Sequence, residues 1–181
     1  EVFQKCVAMI NDFKNYFMRH GQVIYENPSP GNKAGGISTL EDKSLGCTQK
    51  GGGTHVVDVL GIGGQPRRRG LNLISGPGND MVATTLLSAA GAHLVLFTTG
   101  RGTPFGGVVP TLKIASNSEL AKHKTHWIDF NAARVLEEHA DREAIDQEFF
   151  QLVLDTASGQ PARNETHGYE EIAIFKDGVT L

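Results

Sequence analysis

The chain has 181 residues, of which 39% are apolar and 20% charged, which suits one soluble globular domain and is too short for two ordinary ones. Its formal net charge of −3 gives no reason to expect binding to nucleic acid or to a membrane surface, and no run approaches the ~20 apolar residues that span a bilayer. The two cysteines, Cys6 and Cys47, do not make a disulfide framework, so we expect a reducing compartment, the cytoplasm.

The first 20 residues have the pattern of an amphipathic helix. Apolar side chains recur at helical spacing from Val2 to Phe17, and Gly21 is typical of the residue that ends a helix. The chain begins with Glu1 rather than methionine, and the helical pattern starts at once. Because chain ends usually fray before the first packed helix, we expect the sequence to be a piece of a longer protein. A short β-rich run at 22–26 then predicts a strand.

Residues 27–53 form a stretch rich in glycine, proline and ionisable side chains. Ser38 and Glu41 have the spacing of a capping box, which predicts a short helix that begins near Ser38 and ends before Gly51. Lysines beside carboxylates suit proton transfer and anion binding, and glycines let backbone N–H groups approach a ligand closely. We therefore interpret this stretch as half of an active site.

The middle of the chain alternates between strand and helix patterns. Strands are predicted at 54–60, 71–74 and 93–97, the last being a continuous apolar run typical of buried parallel strands. Asn79 is a good N-cap for an alanine-rich helix at 80–90. The strand, glycine turn, helix and strand between 71 and 97 make a βαβ unit. The expected fold class is α/β, with a mostly parallel sheet flanked by helices and glycine-rich loops at the carboxyl ends of strands.

The last third of the chain is predicted to complete the same fold. A strand is expected at 108–115, with Pro110 placing it at a sheet edge or a bend. In HWIDF, at 126–130, His126 and Asp129 lie among large apolar side chains, and our preferred interpretation is a packed strand with outward-facing polar residues. Helices are predicted at 118–124, 132–139 and 143–158, and a final strand at 171–175. We expect residues 1–181 to form a single domain.

Two later glycine loops are candidates for binding anions. In GPGND, the backbone N–H groups at the helix start suit a carboxylate or phosphate. The alternative is an ordinary N-cap, in which Asn79 satisfies its own helix and Asp80 complements the helix dipole; Asp80 is also a candidate metal or polar contact. In TTGRGTPFGG, Arg101 can present its planar fork to a carboxylate and Thr103 supplies a hydroxyl. The alternative there is an arginine that pairs with an acidic residue and holds the loop. Neither G-x-G-x-x-G nor the P-loop pattern occurs, so no nucleotide site is indicated.

Local metal-binding motifs such as C-x-x-C and H-E-x-x-H do not occur, so any metal site needs residues from distant parts of the sequence. In the first glycine-rich stretch, Lys33 and Lys43 are candidates for a base, an acid or substrate clamps, and Asn32 for a polar contact. Cys47 is either a metal ligand or a small buried apolar residue. Glu41 is either a metal ligand or the second partner in the capping box.

Four blocks of the sequence together resemble one known family. They are NPSPGNKAGGISTLEDKSLGCTQKGG, GPGNDMVATTLLSAAGAHLVLFTTGRGTPFGG, KIASNSELAKHKTHWIDFNA and EEIAIFKDGVTL, and in this order they resemble the C-terminal part of the galactarate dehydratase/altronate dehydratase family. TPFGGVVPT followed by HWIDF is more similar to the galactarate branch. Altronate dehydratases are the runner-up, and sulfolactate sulfo-lyases are more distant relatives.

The resemblance implies a hydro-lyase, a carbon–oxygen lyase that removes water from a sugar acid with the help of a divalent metal. In the galactarate case the product is 5-keto-4-deoxy-D-glucarate. It implies Fe2+ as the metal, with Mg2+, Mn2+ or Ca2+ as alternatives, and a small sugar diacid as substrate. The full-length protein is expected to be a cytoplasmic homo-oligomer. The alternative, from a different class, is a non-catalytic sugar-acid-binding or structural part of such an enzyme.

The dehydration chemistry gives the candidate residues their roles. Removing the weakly acidic proton α to a carboxylate needs a base, a stabilised enolate and an acid for the leaving hydroxyl. We assign Lys33 and Lys43 to the proton and enolate steps, Asn32, Asn79, Asp80, Arg101 and Thr103 to substrate binding, and Glu41 and Cys47 to the metal.

Overall fold

The computed structural model describes residues 1–22 and 28–178, which fold as two compact units. The first unit comprises Glu1–Ser75 and the end of the chain from Lys176, and the second comprises Gly76–Phe175. Among the described helices, none combines the length and the apolar character that crossing a bilayer requires. Because two compact units can still behave as one domain, the expectation of a single domain stays a prediction.

Within the described residues, the first unit contains three helices and a two-stranded parallel sheet. In chain order they are α1 (Val2–Arg19), α2 (Pro30–Ala34), α3 (Leu40–Lys50), β1 (Val56–Leu60) and β2 (Leu71–Ile74). The helix predicted at 2–20 is confirmed, and Gly21 follows it with a φ of +65°, which glycine adopts without strain. The strands predicted at 54–60 and 71–74 are confirmed as well. The strand predicted at 22–26 lies, apart from Gln22, outside the described residues.

The helix predicted near Ser38 exists as α3, but its start differs from the prediction. Thr39 is the N-cap, because its Oγ1 accepts a hydrogen bond from the backbone N–H of Asp42 at 3.1 Å. The predicted capping box of Ser38 and Glu41 is therefore wrong. The sequence offers two adjacent hydroxyl residues at this point, and the S-x-x-E pattern selected the first of them.

A polar contact joins α1 to the first strand of this unit. Lys5 Nζ donates a hydrogen bond to Asp58 Oδ1 at 2.7 Å. This bond, with help from the backbone N–H of Val59, lowers the pKa of the Asp58 carboxyl from its ordinary value. No described residue of α1 is buried, and Phe3, Ile10 and Met18 are more than half exposed. The described part of the first unit therefore has little buried apolar core.

The second unit contains a three-stranded parallel sheet with β4 in the middle. Its elements are α4 (Asp80–Ala89), β3 (Val95–Thr99), β4 (Thr111–Ala115), α5 (Ser118–His123), β5 (Phe130–Asn131), a 3-10 helix (Ala132–Leu136), α6 (Arg142–Ala157) and α7 (Arg163–Thr166). The strand order is β3-β4-β5, and both pairings are parallel. The predicted α/β class, with parallel sheets flanked by helices, is confirmed. The predicted helix at 132–139 is the shorter 3-10 helix.

The apolar core lies in the second unit around β4. All five residues of β4 are buried, and this unit contains the buried aliphatic and aromatic side chains of the described residues. These are Leu86, Ala90, Val95, Phe105, Leu112, Ile114, Ala115, Leu120, Ile128, Phe130 and Ala162. Of the two alternatives for Pro110, a sheet edge or a bend, the sheet edge is wrong, because β4 is the central strand of its sheet. Pro110 precedes the strand, where its missing N–H costs nothing, and its carbonyl accepts a hydrogen bond from Val95 at 2.8 Å.

The predicted βαβ unit is also wrong for the described residues. β2 pairs with β1, whereas β3 pairs with β4, so the two strands flanking α4 belong to different sheets. β3 is an edge strand of its sheet, with Leu96 47% exposed, although its apolar run suggested burial. The sequence pattern identified β2 and β3 as strands, but it carries no information about which strand is the partner.

The strand predicted at 171–175 does not form. This segment instead makes single contacts, in which Glu171 N donates to Gly106 O at 3.1 Å and Ala173 N donates to Thr85 Oγ1 at 3.0 Å. Because one of these acceptors is a loop carbonyl and the other a helix side chain, no ladder of strand hydrogen bonds develops.

Leu112 and Leu96 provide a matched test of where the core lies. They are register partners on adjacent parallel strands, but Leu112 is 1% exposed and Leu96 is 47% exposed. We expect Leu112→Ala to lower the free energy of unfolding by about 2–5 kcal/mol, because it leaves a cavity in a buried strand. Leu96→Ala should cost less than half as much. Urea unfolding of the full-length protein checks both, and equal costs would contradict this placement of the core.

Candidate functional site

Asn32 is the centre of a hydrogen-bonded cluster in the first unit. Its backbone N–H donates to Ser29 Oγ at 3.4 Å, and its Oδ1 accepts from the backbone N–H of Ser29 at 3.3 Å, so the two residues cap α2 reciprocally. The same Oδ1 accepts a hydrogen bond from Lys43 Nζ at 3.1 Å. The structure thus brings together two of the predicted site residues, Asn32 and Lys43.

Lys43 and Lys33, the two predicted catalytic lysines, have different surroundings. Lys43 is half-buried in α3, and Asn32 uses one of its three ammonium donors. Lys33 follows Asn32 in α2, and its side chain is exposed. An ammonium whose position is fixed by a neighbour loses less conformational freedom when it binds a ligand. Lys43 is therefore the better oriented of the two for work on a substrate.

The predicted metal ligands Glu41 and Cys47 both lie exposed on α3. They are six positions apart, which corresponds to about 9 Å of helix rise and to different helix faces. This pair alone does not fit one metal ion. In residues 1–22 and 28–178 no group of three His, Cys, Asp or Glu side chains could hold a metal ion. The exposure of Cys47 contradicts its alternative interpretation as a buried apolar residue.

In the second unit, the GPGND segment caps α4. Asn79 Oδ1 accepts a hydrogen bond from the backbone N–H of Val82 at 3.2 Å, and Asp80 is the first helical residue. This is the ordinary N-cap that the sequence offered as the alternative to an anion site. Asn79 and Asp80 are both exposed. Their assignment to substrate binding stays a prediction.

Arg101 lies in a tight turn at 100–102 that follows β3. Gly102 N donates to Thr99 Oγ1 at 2.9 Å, and Asn117 Nδ2 donates to Gly100 O at 2.8 Å. Gly102 has a φ of +80°, and a Cβ there would meet Leu120 Cδ1 at 3.0 Å. The turn is therefore fixed without any help from the Arg101 side chain. That side chain is exposed and makes no ion pair with any described carboxylate. This contradicts the alternative in which Arg101 pairs with an acidic residue and holds the loop.

The TPFGG loop (residues 103–107) is held by Lys113, which the sequence analysis missed. Lys113 lies in the middle of β4 and is 1% exposed. Its Nζ donates to Thr103 O at 3.0 Å and to Phe105 O, and lies 4.8 Å from the centroid of the Phe105 ring. Burial lowers the pKa of this ammonium, and the charges of Asp129 and Glu171 oppose that shift. A lysine inside an otherwise apolar strand was the signal available in the sequence.

Asp129 is a half-buried ionisable group near β4. Its Oδ2 accepts from the backbone N–H of Lys113 at 2.7 Å, and its Oδ1 accepts from the backbone N–H of Arg163 at 2.8 Å. Burial raises the pKa of the Asp129 carboxyl, and these two hydrogen bonds lower it in part. The preferred interpretation of HWIDF as a packed strand is wrong, because His126 and Trp127 lie in a turn and only Phe130 of this segment belongs to a strand, β5. Of its two polar residues, His126 is exposed as predicted, whereas Asp129 is half-buried and accepts hydrogen bonds from backbone N–H groups.

Comparisons with known proteins place these features in a family. The family model described as D-galactarate/altronate dehydratase, C-terminal, matches residues 1–180. The chain is 58% identical to the altronate dehydratase of Bacillus subtilis (strain 168) over 181 residues, which are 100% of this chain and 36% of that protein. It is 59% identical to the altronate dehydratase of Escherichia coli (strain K12) over 179 residues, 99% of this chain and 36% of that protein.

A galactarate dehydratase is a more distant relative. The chain is 36% identical to the galactarate dehydratase (L-threo-forming) of Escherichia coli (strain K12) over 161 residues, which are 88% of this chain and 31% of that protein. The chain thus spans about a third of the length of these curated relatives. The resemblance to the family is confirmed, and the similarity is greater to the two altronate dehydratases than to the galactarate dehydratase.

The two backbone contacts of Asp129 can be tested by Asp129→Asn. The amide keeps one acceptor oxygen but turns an NH2 group toward the other backbone N–H, so two donors meet at a half-buried position. We expect a loss of about 1–3 kcal/mol in the free energy of unfolding. Asp146→Asn, at an exposed position of α6, removes the same charge and should change little. Urea unfolding of both variants gives the comparison, and equal effects would contradict this account of Asp129.

Proposed function

The chain belongs to the D-galactarate/altronate dehydratase family, and on this premise we propose that the full-length protein dehydrates a sugar acid, with altronate as its substrate. The choice of altronate as the substrate is based on sequence identity. It is 58–59% to two altronate dehydratases across the whole chain and 36% to a galactarate dehydratase. Altronate has one carboxylate, so a single anion site is sufficient, where a sugar diacid would need two.

The proposed reaction is a β-elimination of water. The C2 proton is removed, the C3 hydroxyl leaves as water, and the resulting enol becomes a 2-keto-3-deoxy acid. Because the C2 proton is weakly acidic, the enzyme must stabilise the enolate and supply a proton to the leaving hydroxyl. Lys33 and Lys43 remain our candidates for these steps. The contact with Asn32 at 3.1 Å supports Lys43 in particular, since it orients the ammonium before substrate arrives.

The substrate carboxylate is assigned to the loop after β3. The guanidinium of Arg101 is exposed on a turn that other residues fix, and a guanidinium can bind a carboxylate through two parallel hydrogen bonds. Thr103 follows two residues later and can donate its hydroxyl. Asn79 and Asp80 are proposed as contacts for substrate hydroxyls. The metal requirement, the cytoplasmic location and the homo-oligomeric state stay predictions.

The substrate assignment is tested by assaying the full-length protein on altronate, galactarate and glucarate. We expect the highest kcat/KM with altronate, measured as release of the keto product. A preference for galactarate would contradict the substrate choice and favour the TPFGGVVPT motif as the better indicator. The same assay after treatment with a chelator tests the metal requirement. If a metal is required, the chelator should abolish activity and an added divalent ion should restore it. Binding of altronate without turnover would favour the non-catalytic alternative.

The role of Lys43 is tested by Lys43→Met in the full-length enzyme. Removing a proton donor or an enolate-stabilising charge should lower kcat about 100-fold or more. Lys50→Met, which changes an exposed lysine in the last turn of the same helix, is the matched control and should leave kcat unchanged. If Lys43→Met and Lys33→Met both kept wild-type turnover, the assignment of the two lysines would be wrong.

A further inference from the structure

The peptide unit between Phe105 and Gly106 is held from both sides by opposite charges. On one side, the buried ammonium of Lys113 donates to the carbonyl oxygen of Phe105. On the other side, Glu171 Oε2 accepts a hydrogen bond from the backbone N–H of Gly106 at 2.8 Å. The carbonyl and the N–H of a peptide unit point in opposite directions and carry opposite partial charges. Each ionised group therefore meets the end of the dipole that it stabilises.

A second hydrogen bond makes the contact with Glu171 reciprocal. The backbone N–H of Glu171 donates to Gly106 O at 3.1 Å, so each of the two residues donates to the other and accepts from it. Rotation of the Phe105–Gly106 peptide would break charge-assisted bonds on both of its faces at once. The TPFGG loop is consequently fixed at its centre in one orientation.

The segment that carries Glu171 packs directly on the backbone of Gly106. A Cβ at this position would overlap the carbonyl oxygen of Tyr169 and the side chain of Asn164. Asn164 is 2% exposed, and its Nδ2 donates to Tyr169 O at 3.4 Å. Only glycine permits this approach, so the segment at 169–171 covers the backbone of the loop at Gly106.

The remaining end of the loop is fixed by β4. Gly107 N donates to Thr111 Oγ1 at 3.3 Å, and Thr111 is fully buried. At the other end, Thr103 O accepts from Lys113 Nζ at 3.0 Å. These contacts use the loop's backbone and leave the assignment of the Thr103 hydroxyl to substrate unchanged. A five-residue loop with two glycines is thus made rigid where flexibility would be expected.

We propose that Glu171 is a positioning residue of the sugar-acid site, which together with Lys113 fixes the TPFGG loop and, through it, the substrate contact of Thr103. This inference rests on the proposed function, because the rigidity of the loop affects activity only if the loop binds the substrate. Fixing the loop before substrate arrives removes an ordering cost that binding would otherwise carry. Loss of the Glu171 carboxylate should therefore weaken substrate binding.

The test compares Glu171→Ala, Glu171→Gln and Glu170→Ala in the full-length enzyme. Glu171→Ala removes the acceptor for Gly106, and we expect KM for altronate to rise about 10-fold. Glu171→Gln keeps a neutral acceptor oxygen, so the rise should be about threefold. Glu170→Ala changes an exposed carboxylate one residue away and should leave both kinetic constants unchanged. A purely structural loss would lower kcat by reducing the active fraction and would leave KM unchanged.

Hydrogen exchange at the Gly106 amide separates failure of this inference from failure of the proposed function. In Glu171→Ala we expect this amide to exchange about 10-fold faster or more, whatever the enzyme's substrate is. Unchanged exchange would overturn the role of Glu171 in fixing the loop. Faster exchange with unchanged KM would overturn its role in positioning substrate contacts. A wild-type enzyme that dehydrates none of the three sugar acids would overturn the proposed function and this positioning role, while the exchange rates would still show whether Glu171 holds the loop.

Discussion

The second unit buries one positive charge, the ammonium of Lys113, and the donors of this ammonium need hydrogen-bond acceptors inside the protein. An ammonium removed from water is costly unless its donors find acceptors, and β4 is buried along its whole length. The TPFGG loop provides these acceptors, because the carbonyls of Thr103 and Phe105 accept hydrogen bonds from the Lys113 ammonium. The Phe105 ring also lies against the ammonium. The path of the loop is therefore dictated by the strand beneath it.

The two units are stabilised in different ways. The buried apolar side chains described above all belong to the second unit, and α1 leaves large apolar residues exposed. In the first unit, the contacts Lys5–Asp58 and Asn32–Lys43 are polar and at least partly open to solvent. Surface ion pairs contribute little to stability. The value of the Asn32–Lys43 contact is in orienting a lysine.

The sequence predicted local features well because their causes are local. Asn79 caps α4 and Gly21 follows α1 as expected, since caps and helix ends depend on neighbouring residues. Strand partners depend on residues far away in the sequence, so the βαβ unit and the edge alternative for β4 were wrong. Lys113 was missed for a related reason: a lysine in a strand is ordinarily read as solvent-facing, and the acceptors for its donors come from a loop eight to ten residues earlier.

The site could be predicted only in part from the sequence. The motifs identified the family, but they favoured the galactarate branch, whereas overall identity favours altronate dehydratases. Short glycine-rich motifs indicate the chemistry that the family members share. The choice between substrates depends on hydrogen bonds to individual hydroxyl groups, which these motifs do not specify. Glu171 illustrates a second limit, because its partner Gly106 lies 65 residues away and the two positions share no local pattern.

The most direct test of the account is a crystal structure of the full-length protein with altronate bound. We expect Lys113 Nζ to remain on the carbonyls of Thr103 and Phe105, and the altronate carboxylate to lie within hydrogen-bond distance of the Arg101 guanidinium. An altronate molecule that makes no contact with residues 98–107, or a TPFGG loop that has left Lys113, would contradict the account.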